Sequence, residues 1–240
     1  MAERRIWIHA PDGDQPLWRY MDFPKFIDML QRKSLWFTRL DQFADLYEGE
    51  LTTPTADLFA ERRRTTGFRG GINQEKWKKI RCVNCWFTGS EESAAMWPLY
   101  AKGSGIAVRS SIFRLEDCFP PEVTGGSWAI YGSPVSYVDY EKDTMAKVES
   151  DGTLITTLDC MCKRKSFEHE REYRLVTNLE QDEQDCPGKY ITVIPHVLIQ
   201  TICVSPTAPS WIVDVVRKET EIHGLKVSVV RSTLYDPRSK

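Results

Sequence analysis

"SFEHEREYRLV", residues 166–176, decides how this chain is read. At period two it is a β-strand, with Glu168, Glu170, Glu172 and Arg174 on one face and Phe167, His169, Arg171, Tyr173 and Leu175 on the other. Same-face neighbours then stand ~6.5–7 Å apart. Two carboxylates at that distance repel by ~0.6 kcal/mol in water, but by ~2.5 kcal/mol at an effective dielectric near 20. A solvated edge tolerates such a row, with Arg174 paired to Glu172. A cleft needs a cation or a reaction to offset it.

The segments around this strand set the fold class. "LWRYM" (17–21) reads as a strand, and "DFPKFIDMLQRK" (22–33) as a helix capped by Asp22, with Pro24 in its first turn. "SLWFTRL" (34–40), "RCVNCWFT" (81–88) and "GIAVRS" (105–110) are further strands. Between them, 41–50 is an acidic connection, and 53–81 is a helical insertion with a glycine break at 67–71. Residues 89–102 predict a helix capped by Ser90 and bent or ended at Pro98, and 152–167 predict another. Residues 128–140 have strand character broken at Gly132 and Pro134, and 178–189 form a polar turn. The end reads strand (197–205), helix (209–224), strand (225–230). Helices and strands intersperse without regular alternation. The expected fold is α+β: a single domain over 1–240 with a mixed, partly antiparallel sheet and flanking helices.

Of the 240 residues, 41% are hydrophobic and 28% charged, the balance of a globular protein with a sizeable core. The net charge of −2 provides no global pull towards nucleic acid or an anionic membrane. The basic stretches at 61–71 and 76–81 keep local nucleic-acid binding open. No run approaches the ~20 apolar residues of a spanning helix. The first residues carry no signal-peptide pattern, so a cytoplasmic location is expected. Seven scattered cysteines point to reduced thiols. Trp36, Trp86 and Trp97 sit in apolar segments and are expected in the core.

Three features carry candidate chemistry beside the glutamates. Arg19, between apolar neighbours, either grips a phosphate or carboxylate with its planar fork or snorkels from an edge. "WFTGSEESAAMW" (86–97) leads a strand through Thr-Gly-Ser into a helix start suited to an anion, or simply to capping. Cys82-x-x-Cys85 and Cys160-x-Cys162 make a poor zinc set, because each pair points apart in its expected element. No phosphate loop, dinucleotide fingerprint or HExxH motif appears.

Four landmarks in order are "LWRYM", "LWFTRLDQFADLYEGE", "NCWFTGSEESAAMWPLYAKGSGIAV" and "KSFEHEREYRLV". Through them the chain resembles the bacterial family catalogued as domain of unknown function 2971. That family usually carries Asn-Asp-Pro before its Glu-Gly; here Ala44-Asp45-Leu46 precedes, so only Asp45, Glu48 and Gly49 fit. The order of an arginine strand, a Ser/Thr strand running into an aromatic helix, and a late Glu-x-Glu is also similar to the arginine–serine–glutamate ADP-ribosyltransferases. That resemblance implies an ADP-ribosyltransferase-like core with NAD as substrate. Arg19 would hold NAD, Thr88 or Ser90 would steady the glutamate and the sugar, and Trp97 and Tyr100 would wall the nicotinamide. Glu172 would be the catalytic glutamate, Glu170 its partner, and Arg174 the third member of the motif. Such an enzyme would suit a defence or toxin role.

Two other readings keep the same residues. Asp41, Asp45, Glu48, Glu170 and Glu172 could form an oxygen-rich magnesium site of a phosphodiesterase. Alternatively, Glu-x-Glu-x-Arg is an ion-pair ladder in a non-catalytic interaction module.

Overall fold

In the computed structural model, which describes residues 6–66, 73–121, 129–148, 154–183 and 185–237, period-two apolar runs become strands and capped amphipathic runs become helices. The strands are β1 (Ile6–Ile8), β2 (Pro16–Met21), β3 (Ser34–Arg39), β4 (Arg81–Thr88), β5 (Ile106–Ser111), β6 (Ile130–Pro134), β7 (Ser136–Val138), β8 (Ala146–Val148), β9 (Leu154–Thr156), β10 (Cys162–Arg164), β11 (Glu172–Asn178), β12 (Gly188–Thr192), β13 (Thr201–Val204) and β14 (Ser228–Arg231). The helices are α1 (Phe23–Arg32), α2 (Thr53–Thr66), α3 (Gln74–Lys78), α4 (Met96–Tyr100), α5 (Ile112–Asp117), α6 (Pro195–Leu198) and α7 (Trp211–Ile222). Helix α1 forms as its signals predict: Asp22 accepts from the Lys25 N–H, and Phe26, Met29 and Leu30 face inwards. Among the described residues no helix is long and apolar enough to cross a membrane.

One sheet runs β1-β6-β11-β4-β2-β5-β13-β14, with β3 also paired to β4 and β12 to β3. The β1–β6 and β13–β14 ladders are parallel, while β4 is antiparallel to β2, β3 and β11. The fold is therefore α+β with a mixed sheet and several helices. Helices α2 and α3 fall between the paired strands β3 and β4. The glycine break expected at 67–71 lies outside the described residues.

The main core covers one face of the sheet, where Leu17, Trp86, Val108, Tyr173 and Leu175 meet residues of α1 and α7. The opposite face carries two smaller clusters. Trp18, Tyr20, Phe87, Met96 and Trp97 form one; Leu40, Val83, Cys160, Met161 and Val176 form the other. Between them in the β4–β11 register stand Cys85 and Arg174.

Several local expectations give way to tertiary contacts. The strand expected from residue 168 begins only at Glu172. Lys165–Glu170 is a 3-10 turn, and Arg171 leaves it in the left-handed region at φ 40°, so Glu168 does not continue the row of Glu170 and Glu172. The helix expected at 152–167 is β9, a 3-10 turn at Asp159–Met161, and β10. There β9 pairs with β8 and β10 with β7, and Asp159 bonds the Cys160 N–H and meets Arg81. The helix expected at 89–102 shrinks to α4 because the residues before it are tied to the sheet. The Trp18 indole donates to the Gly89 carbonyl, and the Ser93 N–H donates to Tyr20. Strand β6 runs through Gly132 and Pro134, and the break falls at Val135. The polar turn at 178–189 ends in β12, an edge strand specified by its pairing with β3.

Candidate functional site

The site begins with a fork in the sheet. Along one edge of β4, Phe87 and Thr88 pair with β2, whereas Cys82 and Val83 pair with β3. Strands β2 and β3 therefore diverge across Asn84–Trp86. The gap is tied by the Trp36 carbonyl, which accepts from the Asn84 amide at 2.8 Å and from Arg19 Nη2 at 3.4 Å. A hollow of ≈ 460 Å³ opens here, lined among others by Arg19, Trp36, Cys85, Lys163, Glu170 and Glu172. A second hollow of ≈ 720 Å³ adjoins it, sharing Thr38, Phe43, Tyr100, Lys163 and Glu170. Each volume is in the range of small-molecule sites, about 300–1,000 Å³.

Register explains how the predicted residues meet. Trp18 lies opposite Phe87, and Phe87 opposite Glu172, so those three share a face and Arg19 belongs to the other. The fork, not a common face, brings Arg19 and the glutamates to one hollow. The Arg19 guanidinium packs over Trp86 at 5.8 Å, and its Nη1 is shut off from solvent with no hydrogen-bond partner. Burial lowers its pKa to about 10. An unsatisfied buried guanidinium nitrogen is costly, and an anionic ligand would satisfy it.

The carboxylates are held by two cations. Arg174, fully buried, donates to Glu172 at 2.6 and 3.0 Å, to Glu48 at 2.9 and 3.3 Å, and to the Cys160 carbonyl at 2.6 Å. Lys163 comes from β10, which the β7 ladder places beside the sheet. Its ammonium contacts Glu170, Glu172 at 3.3 Å and Glu48 at 3.4 Å. Burial opposes the charge on Lys163, but Glu172, Glu48 and Glu170 outweigh it and raise its pKa. Burial likewise pushes the Glu172 pKa up, yet Arg174 and Lys163 win and bring it down to about 2. Glu48 reaches the network because Gly49 turns the chain at φ 75°, where a Cβ would sit only 3.2 Å from Leu40 Cδ1 and from Lys78 Cγ.

Acceptor capacity separates the two motif glutamates. Glu172 receives both arms of Arg174, Lys163 and the Cys85 thiol, which nearly fills its lone pairs. Glu170 accepts from the Tyr100 hydroxyl at 2.6 Å on one oxygen and from Lys163 on the other. Each Glu170 oxygen keeps a lone pair for another donor.

The remaining predicted residues divide. Tyr100 lines both hollows, and Asp45 and Glu48 line the second. Asp45 is held by both arms of Arg164, at 2.8 and 3.1 Å. Thr88, Ser90 and Trp97 line neither hollow; Trp97 is a core residue bonded to Glu92. Trp86 is buried, whereas Trp36 is only partly buried and walls the fork. Asp41 is neutralised by Arg39 and lines neither hollow. Among the described residues no group of three His, Cys, Asp or Glu is arranged for a metal ion. The space among Glu48, Glu170 and Glu172 is filled by the Lys163 ammonium.

Lys163, Asn84 and Tyr137 are not singled out by sequence reading, and Cys85 enters it only as half of a poor zinc pair. Lys163 had one signal, its place at the junction of the apolar run Cys160-Met161-Cys162 with the basic run Lys163-Arg164-Lys165, but a helical reading of 152–167 hides it. Tyr137 accepts from the Glu172 backbone N–H at 2.7 Å, and burial pushes its own pKa up to about 12.

No protein-family model matches the chain, so the likeness to domain of unknown function 2971 rests on the quoted motifs alone. No curated protein matches it either. Among solved structures, Thermus sp. 2.9 DarT in complex with NAD+ aligns over 93% of this chain and 96% of that chain, with a TM-score of 0.37 and 9% identity. A likeness that low carries no argument about this chain's chemistry.

Proposed function

We propose that the forked hollow binds NAD and that the protein is an NAD-consuming ADP-ribosyltransferase or NAD glycohydrolase with an ADP-ribosyltransferase-like core. One observation carries the reading: Arg19, whose buried Nη1 has no hydrogen-bond partner, and a carboxylate with spare lone pairs, Glu170, line the same hollow. Arg19 engages the diphosphate. Trp36 and Trp86 wall the ligand, and Glu170 faces the nicotinamide ribose. The bond from the sugar to nicotinamide breaks with its electron pair leaving on the ring, and Glu170 stabilises the oxocarbenium-like sugar. An acceptor hydroxyl or amine, or water, then adds at the same carbon, and its proton passes to Glu170. The roles of the two motif acids are thus exchanged relative to the sequence reading. Glu172 is a strut that fixes Lys163 and Arg174, and Lys163 with Tyr100 orients Glu170. Thr88 and Ser90 take no direct part.

A second reading has its own support. The complete burial and pairing of Arg174 suits a purely structural ion-pair network in a non-catalytic module. Incubation with NAD and cell lysate, following nicotinamide release, separates the two. The catalytic reading expects release that falls at least ~100-fold in Glu170→Gln while the variant stays folded. Wild-type protein that neither releases nicotinamide nor binds NAD leaves only the structural module.

A further inference from the structure

Taking Arg19 as the group that grips the ligand's diphosphate, as proposed above, we infer that Asn84 is the positioning residue that holds the fork open and aims Arg19 into it. Asn84 stands on β4 between Val83, which pairs with Thr38 of β3, and Phe87, which pairs with Trp18 of β2. Its side chain is buried, with a partner at each end of the amide. Nδ2 donates to the Trp36 carbonyl at 2.8 Å, and Oδ1 accepts from the Trp86 indole at 2.7 Å. An indole N–H only donates and a carbonyl only accepts, so the partners fix which end of the amide faces which.

A side-chain amide carries the donor and acceptor of a peptide unit. Here it takes the place of a main-chain bond between β3 and β4. Strands in direct ladder contact lie ~4.8 Å apart. With a side chain set between them, β3 does not close onto β4 beyond Val83, and the hollow stays open. Arg19 rests on the two groups that Asn84 holds. Its guanidinium packs over the Trp86 ring at 5.8 Å, and Nη2 donates to the Trp36 carbonyl at 3.4 Å. Nη1 is left without a partner. The amide suits this task because it is neutral: it shares the Trp36 oxygen with Arg19 without capturing the guanidinium. Leucine, of the same shape, offers neither bond. Aspartate, also of the same shape, has no proton to donate to Trp36 and would pair with Arg19 instead, filling the nitrogen the ligand needs.

Thermal melts, together with calorimetric titration with ADP-ribose, test this in Asn84→Asp, Arg19→Met and the double variant. ADP-ribose carries the diphosphate and has no nicotinamide to lose. Without ligand, Asn84→Asp should lower Tm by ~2–6 °C in the wild-type background, where Arg19 pairs with the new carboxylate. In the Arg19→Met background the same change leaves that carboxylate buried and unpaired, and the loss should be at least ~5 °C larger. A double variant that does not fold counts as the larger loss. Equal losses in the two backgrounds are what a role confined to holding the strands together would give. They overturn the assignment, as does an Asn84→Asp chain that does not fold, because residue 84 then does not face Arg19. With ligand, Asn84→Asp should bind ADP-ribose at least ~10-fold more weakly than wild type. Unchanged affinity overturns the positioning role and leaves the NAD reading intact. Wild-type protein that binds neither ADP-ribose nor NAD removes the NAD reading, while the ligand-free melts still decide whether Asn84 positions Arg19.

Discussion

Replacing Glu172 by glutamine removes one charge from the buried network while keeping the shape of the side chain. Glu172 is 5% exposed and receives Arg174 at 2.6 and 3.0 Å and Lys163 at 3.3 Å. A glutamine oxygen can still accept one of these bonds, but its amide turns two donors towards cationic donors. In the wild type the pKa is held at about 2 against the usual 4.5, which corresponds to ~3 kcal/mol of stability at neutral pH. A depressed acid contributes stability that is complete above pH 4.5 and is lost as pH falls towards 2. Glu172→Gln should therefore cost ~3 kcal/mol at pH 7, in line with the ~3–5 kcal/mol of breaking a buried ion pair. For a chain of 240 residues that lowers Tm by ~6–12 °C. The assay is urea unfolding of both proteins at a series of pH values. The gap between the two curves should be widest at pH 7 and close between pH 4.5 and 2. A variant within ~1 kcal/mol of wild type at pH 7, or a gap that does not narrow in acid, would refute the energetic role assigned to Glu172.

Arg19→Met removes a cation whose burial is already unfavourable. It should raise the stability of the ligand-free protein by ~1 kcal/mol in a thermal melt, a figure discounted for the partial exposure of the side chain. The same variant should weaken NAD binding ~10–100-fold by calorimetry, and unchanged affinity would remove Arg19 from the site. Gly132→Ala places a methyl 2.6 Å from Ile8 Cδ1 and 2.9 Å from Leu175 Cδ2, where β6 passes between β1 and β11. It should cost ~1–3 kcal/mol in denaturant unfolding, and a neutral effect would mean that β6 has more room than the packing shows.

The sequence by itself determined the elements whose signals are local. The Asp22 cap and apolar stripe specify α1, and short runs of β-branched and aromatic residues specify β2, β3, β4 and β5. Irregular alternation of helix and strand was enough to give an α+β fold with a mixed sheet. Arg19 stood out in the sequence as a charge inside an apolar run, and Glu170 and Glu172 as carboxylates at period two; the structure brings all three to the lining of one hollow.

Tertiary structure decided the site. The fork requires β4 to pair with β2 at one end and β3 at the other, and no window of local sequence contains that choice. Lys163 escaped notice because its segment has helical spacing, while its real partners, β7 and the glutamates of 48, 170 and 172, lie in other elements. The different hydrogen-bond saturation of the two acids was equally hidden. Arg171 at φ 40° breaks the period-two row, and which oxygen lone pairs remain open depends on Tyr100 and Lys163, brought in by distant strands and turns. Propensity and periodicity act between near neighbours in the chain; the satisfaction of buried charge is settled between groups that only the packed fold brings together.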